Sequence, residues 1–122
     1  MKPGKKGLAR IFDATAYSMK GIAAGWKHEA AFRQELILSL VLLPFSFLLA
    51  ANPLQWLLLV FPLLVLLAVE MLNSAIENVV DRFGDEYHEL SGRAKDMGSA
   101  AVFFCLVLTG TSWLAIAWHN FS

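Results

Sequence analysis

Five polar residues at helical spacing carry most of the chemistry open to this sequence. Asn73, Ser74, Glu77 and Asp81 follow Glu70 at offsets of 3, 4, 7 and 11, so all five fall on one stripe of a helix. Ala68, Val69, Met71 and Leu72 flank Glu70. An ionisable group among such neighbours, at the edge of a membrane, costs on the order of 2.5 kcal/mol or more unless it is paired, and is a functional-site hypothesis by default. A carboxylate held there can serve as a general base. Glu70 and Glu77 lie two turns apart, and Glu29 or Glu35 offers a third carboxylate. Such a set suits a hard divalent cation, because magnesium needs only one or two carboxylates when phosphates and water complete its octahedron. Asp81, beside Arg82, reads more simply as an ion-pair partner for nearby basic residues.

A second group precedes the last apolar stretch. Ser91 is the expected N-cap, and Ala94, Gly98 and Ala101 form a small-residue stripe along which another helix can approach closely. Lys95 and Ser99 stand four apart on another face; near the acidic stripe, they suit nucleotide phosphates. For Lys95 the simpler reading is a basic residue marking a cytoplasmic helix end. Other chemistries lack their residues. The sequence has no GxxxxGK(S/T), hence no P-loop. His28-Glu29-Ala30-Ala31-Phe32 starts like a zinc-protease motif but lacks its second histidine, and His88 and His119 have no partner at ligand spacing. The single cysteine, Cys105, sits in an apolar run, which supports packing and neither a disulfide framework nor a metal cluster.

These residues must be positioned by membrane helices. Of the 122 residues, 57% are hydrophobic and 16% charged, a balance normal for a membrane protein and unusual for a soluble domain. The formal net charge is zero, so nothing favours nucleic acid as a partner. No charge occurs from Leu36 to Val69; as one helix that run would be roughly 51 Å long, against a hydrocarbon core of about 30 Å. Asn52-Pro53 at its middle is a turn signal, so the run reads as two spans, with Pro44 and Pro62 expected to kink them and not to end them. Met97 to Trp118 is a third charge-free stretch. Trp56, Trp113 and Trp118 fall towards the predicted outer ends, as in aromatic belts. Leu8, Ile11, Phe12, Thr15, Met19, Ile22 and Trp26 recur at helical spacing opposite Arg10, Asp13, Tyr17, Lys20 and Lys27, predicting an amphipathic helix in the interface plane. The expected fold is therefore an all-α membrane protein in one domain: a surface helix over about 8–33 and spans over 34–51, 54–80 and 92–118 with cytoplasmic extensions. The lysines Lys2, Lys5 and Lys6 are not followed by a compact apolar segment and cleavage site, so no removable signal peptide is expected.

All ten Lys and Arg residues lie in 1–33 or 82–95. The positive-inside rule then predicts a cytoplasmic N-terminus and second loop, and a C-terminus outside.

Three motifs carry a family resemblance: Glu29-Ala-Ala-Phe-Arg33-Gln-Glu35; Glu70-x-x-Asn73-Ser74-Ala75-Ile76-Glu77-x-x-Val80-Asp81-Arg82; and Glu86-Tyr-His88-Glu-Leu-Ser-Gly-Arg93-Ala-Lys95-Asp96-Met-Gly-Ser99-Ala-Ala. In this order and nearly without gaps, over roughly residues 8–102, the chain resembles the prokaryotic integral-membrane diacylglycerol kinases. The resemblance implies a homotrimer in the bacterial inner membrane, with sites shared between protomers and the C-terminus periplasmic. It implies transfer of the γ-phosphate of MgATP to the hydroxyl of diacylglycerol. By resemblance, Glu70 would be the catalytic base, and Glu29 and Glu77 would hold Mg2+ and with it the nucleotide. Lys95 would neutralise phosphate charge, with Asp96 and Ser99 nearby. Asn73 would support the cluster, as would Arg33 and Glu35 of the first motif. Arg10, Tyr17, Ser18, Glu86 and His88 match positions around ATP.

Three other readings stay open, one of them a structural membrane subunit, which would not need Glu70 at that depth. Undecaprenol kinase shares the acidic stripe and the Lys-Asp pair, although Gly98-Ser99-Ala100-Ala101 looks more like the diacylglycerol enzymes. A small ion or metal transporter would also place carboxylates in a membrane, but should continue polar groups along a whole path.

Overall fold

A computed structural model describes residues 6–84, 86 and 88–122. Lys2 and Lys5, read above as orienting charges, lie outside the described residues. The described chain is helical throughout: α1 (Leu8–His28), α2 (Ala30–Leu49), α3 (Pro53–Arg82) and α4 (Glu89–Phe121). The last three are long and apolar enough to cross a membrane. α2 and α3 run on through Pro44 and Pro62 without ending.

Each boundary has a local cause. Asn52 is extended, its side chain accepts from the Gln55 N–H at 2.9 Å, and Pro53 occupies the first helical position. A proline there gives up a donor that would be unpaired anyway. α1 and α2 are separated by Glu29 alone, at φ −117° and ψ 105°, so the break falls earlier than the expected limit at 33. Arg33, on the first turn of α2, closes this corner: Nη1 donates to the Trp26 and Lys27 carbonyls at 2.8 and 3.3 Å. These are end carbonyls of α1, which have no intrahelical partner. α4 starts at Glu89, not at 92, because His88 and not Ser91 is the cap: Nδ1 accepts from the Leu90 N–H at 3.1 Å.

Packing is uneven. α3 and α4 form the main pair, α2 lies along α3, and α1 touches α2 and α3 but not α4 among the described residues. Leu59, Pro62, Leu63 and Leu66 of α3 are buried, and Leu66 meets Val102 and Cys105 of α4. Buried hydroxyls turn back on their own helices, Ser39 to the Glu35 carbonyl at 2.8 Å and Thr109 to that of Cys105 at 2.8 Å. The amphipathic face of α1, from Leu8 to Trp26, stays exposed, as a helix lying in a membrane interface requires.

The end of the bundle at Asn52 is tied by side chains. Asn120 Nδ2 donates to the Leu49 carbonyl at 2.8 Å and to Gln55 Oε1 at 2.9 Å, and Gln55 Oε1 also takes the Ala51 N–H at 2.8 Å. Trp113 Nε1 donates to the Leu59 carbonyl at 3.0 Å. Trp56, Trp113 and Trp118 do gather towards this end, but of these only Trp118 is exposed. Trp113 is spent on α3, and Trp56 packs against Phe47 with ring centroids 5.4 Å apart.

Candidate active site

At the opposite end, the stripe on α3 turns inward. Glu70, Asn73 and Ser74 are buried at 4%, 7% and 6% exposure, although the helix around them is apolar enough to bury leucine instead. Asn73 Nδ2 donates to Glu77 Oε1 at 3.1 Å, one helical turn along, and the same amide lies within reach of the Glu70 carboxyl. Asn73 therefore fixes Glu77 from one side, and among the described residues that carboxylate's other oxygen has no hydrogen-bond partner.

Two glycines allow this arrangement. A Cβ on Gly98 would collide with Asn73 Oδ1, so α4 can lie against Asn73 only because residue 98 has no side chain. The small-residue stripe expected to admit another helix admits α3 at this point. Gly25 does the same for α1: a Cβ there would stand 3.0 Å from both Met71 Cε and Phe32 Cδ2. That contact holds the Glu29 corner against α3 next to Glu70.

Glu29 consequently joins the stripe. Its side chain makes no capping bond, so the carboxylate is not consumed by the helix it precedes. The charges of Glu29 and Glu77 both act on Glu70, and that of Glu70 acts on Glu35 of α2. Four carboxylates from three elements thus share one neighbourhood. Two buried polar atoms among them, Glu35 Oε2 and Asn73 Oδ1, have no hydrogen-bond partner in the described structure, a condition that is rare and costly. Among the described residues, no group of three or more His, Cys, Asp or Glu is placed to hold a metal ion by itself. Glu77 and Glu29 are carboxylates of the kind of which magnesium needs only one or two when phosphates supply further ligands.

Beyond Glu77 the site opens into a cleft of about 600 Å³, lined among others by Asp81, Glu86, His88, Gly92 and Lys95. Lys95 Nζ pairs with Asp81 Oδ1 at 2.7 Å, which meets the expectation that Asp81 is an ion-pair partner, with Lys95 as the cation. The fold therefore gathers Glu29, Glu35, Glu70, Asn73 and Glu77, and beside them Glu86, His88 and Lys95. Arg33 acts as the clamp on the α1 corner. Asp96 and Ser99 stand exposed on α4. Arg10, Tyr17 and Ser18 are exposed on α1, with Lys20 Nζ 5.5 Å from the centre of the Tyr17 ring and Ser18 bonded to the Ala14 carbonyl. They are not brought to the cleft within one chain. Gly25 carried no functional reading in the sequence, since its value lies in a close approach that only the tertiary structure defines.

The chain is similar to known proteins over most of its length. A family model described as prokaryotic diacylglycerol kinase matches residues 16–117. A diacylglycerol kinase of Escherichia coli K12 is 47% identical over 115 residues, covering 94% of each chain. One from Pseudomonas aeruginosa is 48% identical over 113 residues, 93% of this chain and 92% of the relative. A third, from Haemophilus influenzae, is 46% identical over 107 residues, 88% and 91%.

Proposed function

The chain belongs to the prokaryotic diacylglycerol kinase family, and on that premise we propose how its acidic end phosphorylates diacylglycerol. The protein is a bacterial membrane kinase that acts on diacylglycerol with ATP as co-substrate. The observation that carries the residue assignment is the buried Glu70 beside the Asn73-oriented Glu77.

Glu70 is the general base. It takes the proton as the lipid hydroxyl oxygen bonds to the γ-phosphorus and the bond to the β-phosphate oxygen breaks, leaving ADP and phosphatidate. Its depth among apolar neighbours suits a lipid alcohol, and a positioned base contributes about 10²–10⁴-fold. Glu77 and Glu29 would hold Mg2+, and the ion would supply neutralisation of the phosphate charge. Asn73 keeps Glu77 turned to that task, and Lys95 lies at the cleft mouth to meet phosphate oxygens, with Glu86 and His88 on the nucleotide side. Phosphoryl transfer asks for this positioning and charge compensation more than for covalent help.

Arg10, Tyr17 and Ser18 reach a nucleotide from a neighbouring copy. Among the described residues α1 has no contact with α4 of its own chain, while its apolar face and much of the spans remain exposed; both facts favour a homotrimer with shared sites. The confinement of Lys and Arg to 1–33 and 82–95 favours an inner-membrane protein with the acidic end cytoplasmic and the C-terminus periplasmic. A transport path finds little support: the buried Ser39, Ser46 and Thr109 hydroxyls are bonded to carbonyls of their own helices.

The test offers purified protein MgATP with diacylglycerol and undecaprenol side by side in mixed micelles, and measures both phosphorylated lipids. Phosphatidate is the expected product. Turnover of undecaprenol alone would replace the lipid assignment, and turnover of neither would end the kinase reading.

A further inference from the structure

Asp81 and Glu77 sit one turn apart on α3, and Lys95 of α4 stands between their fields. Its ammonium is on Asp81 at 2.7 Å, while the charge of Glu77 also acts on it. The pair is exposed, with 43% and 62% of the two side chains accessible, and such pairs add little to stability. Its consequence lies in where it leaves the ammonium. A lysine head is a compact point charge on a flexible four-carbon stem, able to swing to whichever carboxylate is in reach. Glu77 takes one hydrogen bond, from Asn73, and has lone pairs to spare.

We propose that Asp81 is a positioning residue that holds Lys95 off Glu77, so that Glu77 stays available to a divalent cation while Lys95 stays available to phosphate. The inference rests on the assignment of Glu77 to metal binding made above. With Asp81 neutral, Lys95 falls onto Glu77 and competes with the ion for the same oxygens. The lysine would then be an inhibitor of the site it is meant to serve.

Mn2+ alone, titrated into the purified full-length protein in detergent micelles and followed by electron paramagnetic resonance, tests this without relying on turnover. Glu77→Gln should lose binding. Asp81→Asn should weaken it roughly tenfold, the scale on which groups that support a metal ligand act. Asp81→Glu should bind as wild type. Asp81→Asn combined with Lys95→Gln should recover wild-type affinity, because the competing ammonium has gone; a purely structural loss would not reverse. Wild-type affinity in Asp81→Asn, or no recovery in the double variant, overturns the inference while Glu77→Gln still reports on the metal assignment. Unchanged binding in Glu77→Gln overturns both.

Discussion

The two ends of the bundle solve the same problem in opposite ways. At the Asn52 end, Asn120, Gln55, the Asn52 cap and Trp113 direct their polar groups to one another or to the Leu49, Ala51 and Leu59 backbone. The Trp56 indole N–H is the exception. At the Glu70 end the polar groups are more costly to bury, being carboxylates, and are less fully satisfied: Glu35 Oε2 and Asn73 Oδ1 are buried without partners. A bundle that can close its polar valences at one end and leaves them open at the other is keeping the open end for something else. Unmade hydrogen bonds cost stability, and they are tolerated where a ligand completes them.

If this contrast is functional, the largest effect of any substitution belongs to Glu70. Glu70→Gln keeps shape and loses the base, so turnover in mixed micelles should fall by at least about 10²-fold while helicity and oligomeric state, read by circular dichroism and size exclusion, stay as in wild type. Near-normal turnover would remove the base assignment. Gly98→Val comes next, because it strikes both packing and chemistry. The added Cβ must displace Asn73 and with it the orientation of Glu77. Overpacking of this kind costs about 1–3 kcal/mol, so both resistance to denaturing detergent and kcat should drop. A variant that lost stability alone would show that Asn73 has no part in orienting Glu77.

Most of the open end was legible in the sequence, and for a physical reason. Charge is expensive in an apolar run, so Glu70 and Glu77 stand out by cost alone, and the helical period assigns them one face. The Asn52-Pro53 turn was equally legible, since cap and proline act through their own backbone. What stayed hidden depends on which surfaces meet. Ser91 has the cap chemistry that His88 supplies instead, and nothing local marks the Trp26 and Lys27 carbonyls as partners of the Arg33 guanidinium. Gly25 has no chemistry to notice. The side-chain tie at the closed end was nearly invisible: Asn120 and Gln55 are separated by 65 positions, and nothing local marks them as partners.

That closed end supplies the smallest effect and the sharpest control. Asn120→Ala removes the donor to Leu49 and Gln55 together, yet interhelical hydrogen bonds in membranes average only about 0.6 kcal/mol and reach about 1.7. Unfolding in denaturing detergent should therefore shift by that modest amount, with kcat unchanged. Gln55→Ala should cost about as much as Asn120→Ala, because each removes the bonds between the two side chains and one to the backbone, from the Ala51 N–H or to the Leu49 carbonyl, and the double variant should cost less than the sum, since both remove the same shared bonds. A fall in kcat with Asn120→Ala as large as its loss of stability would mean that tension at the far end is felt at Glu70. The two ends would then be one coupled device, and the unpaired oxygens near Glu70 would reflect how the whole bundle is held and not only what its acidic end awaits.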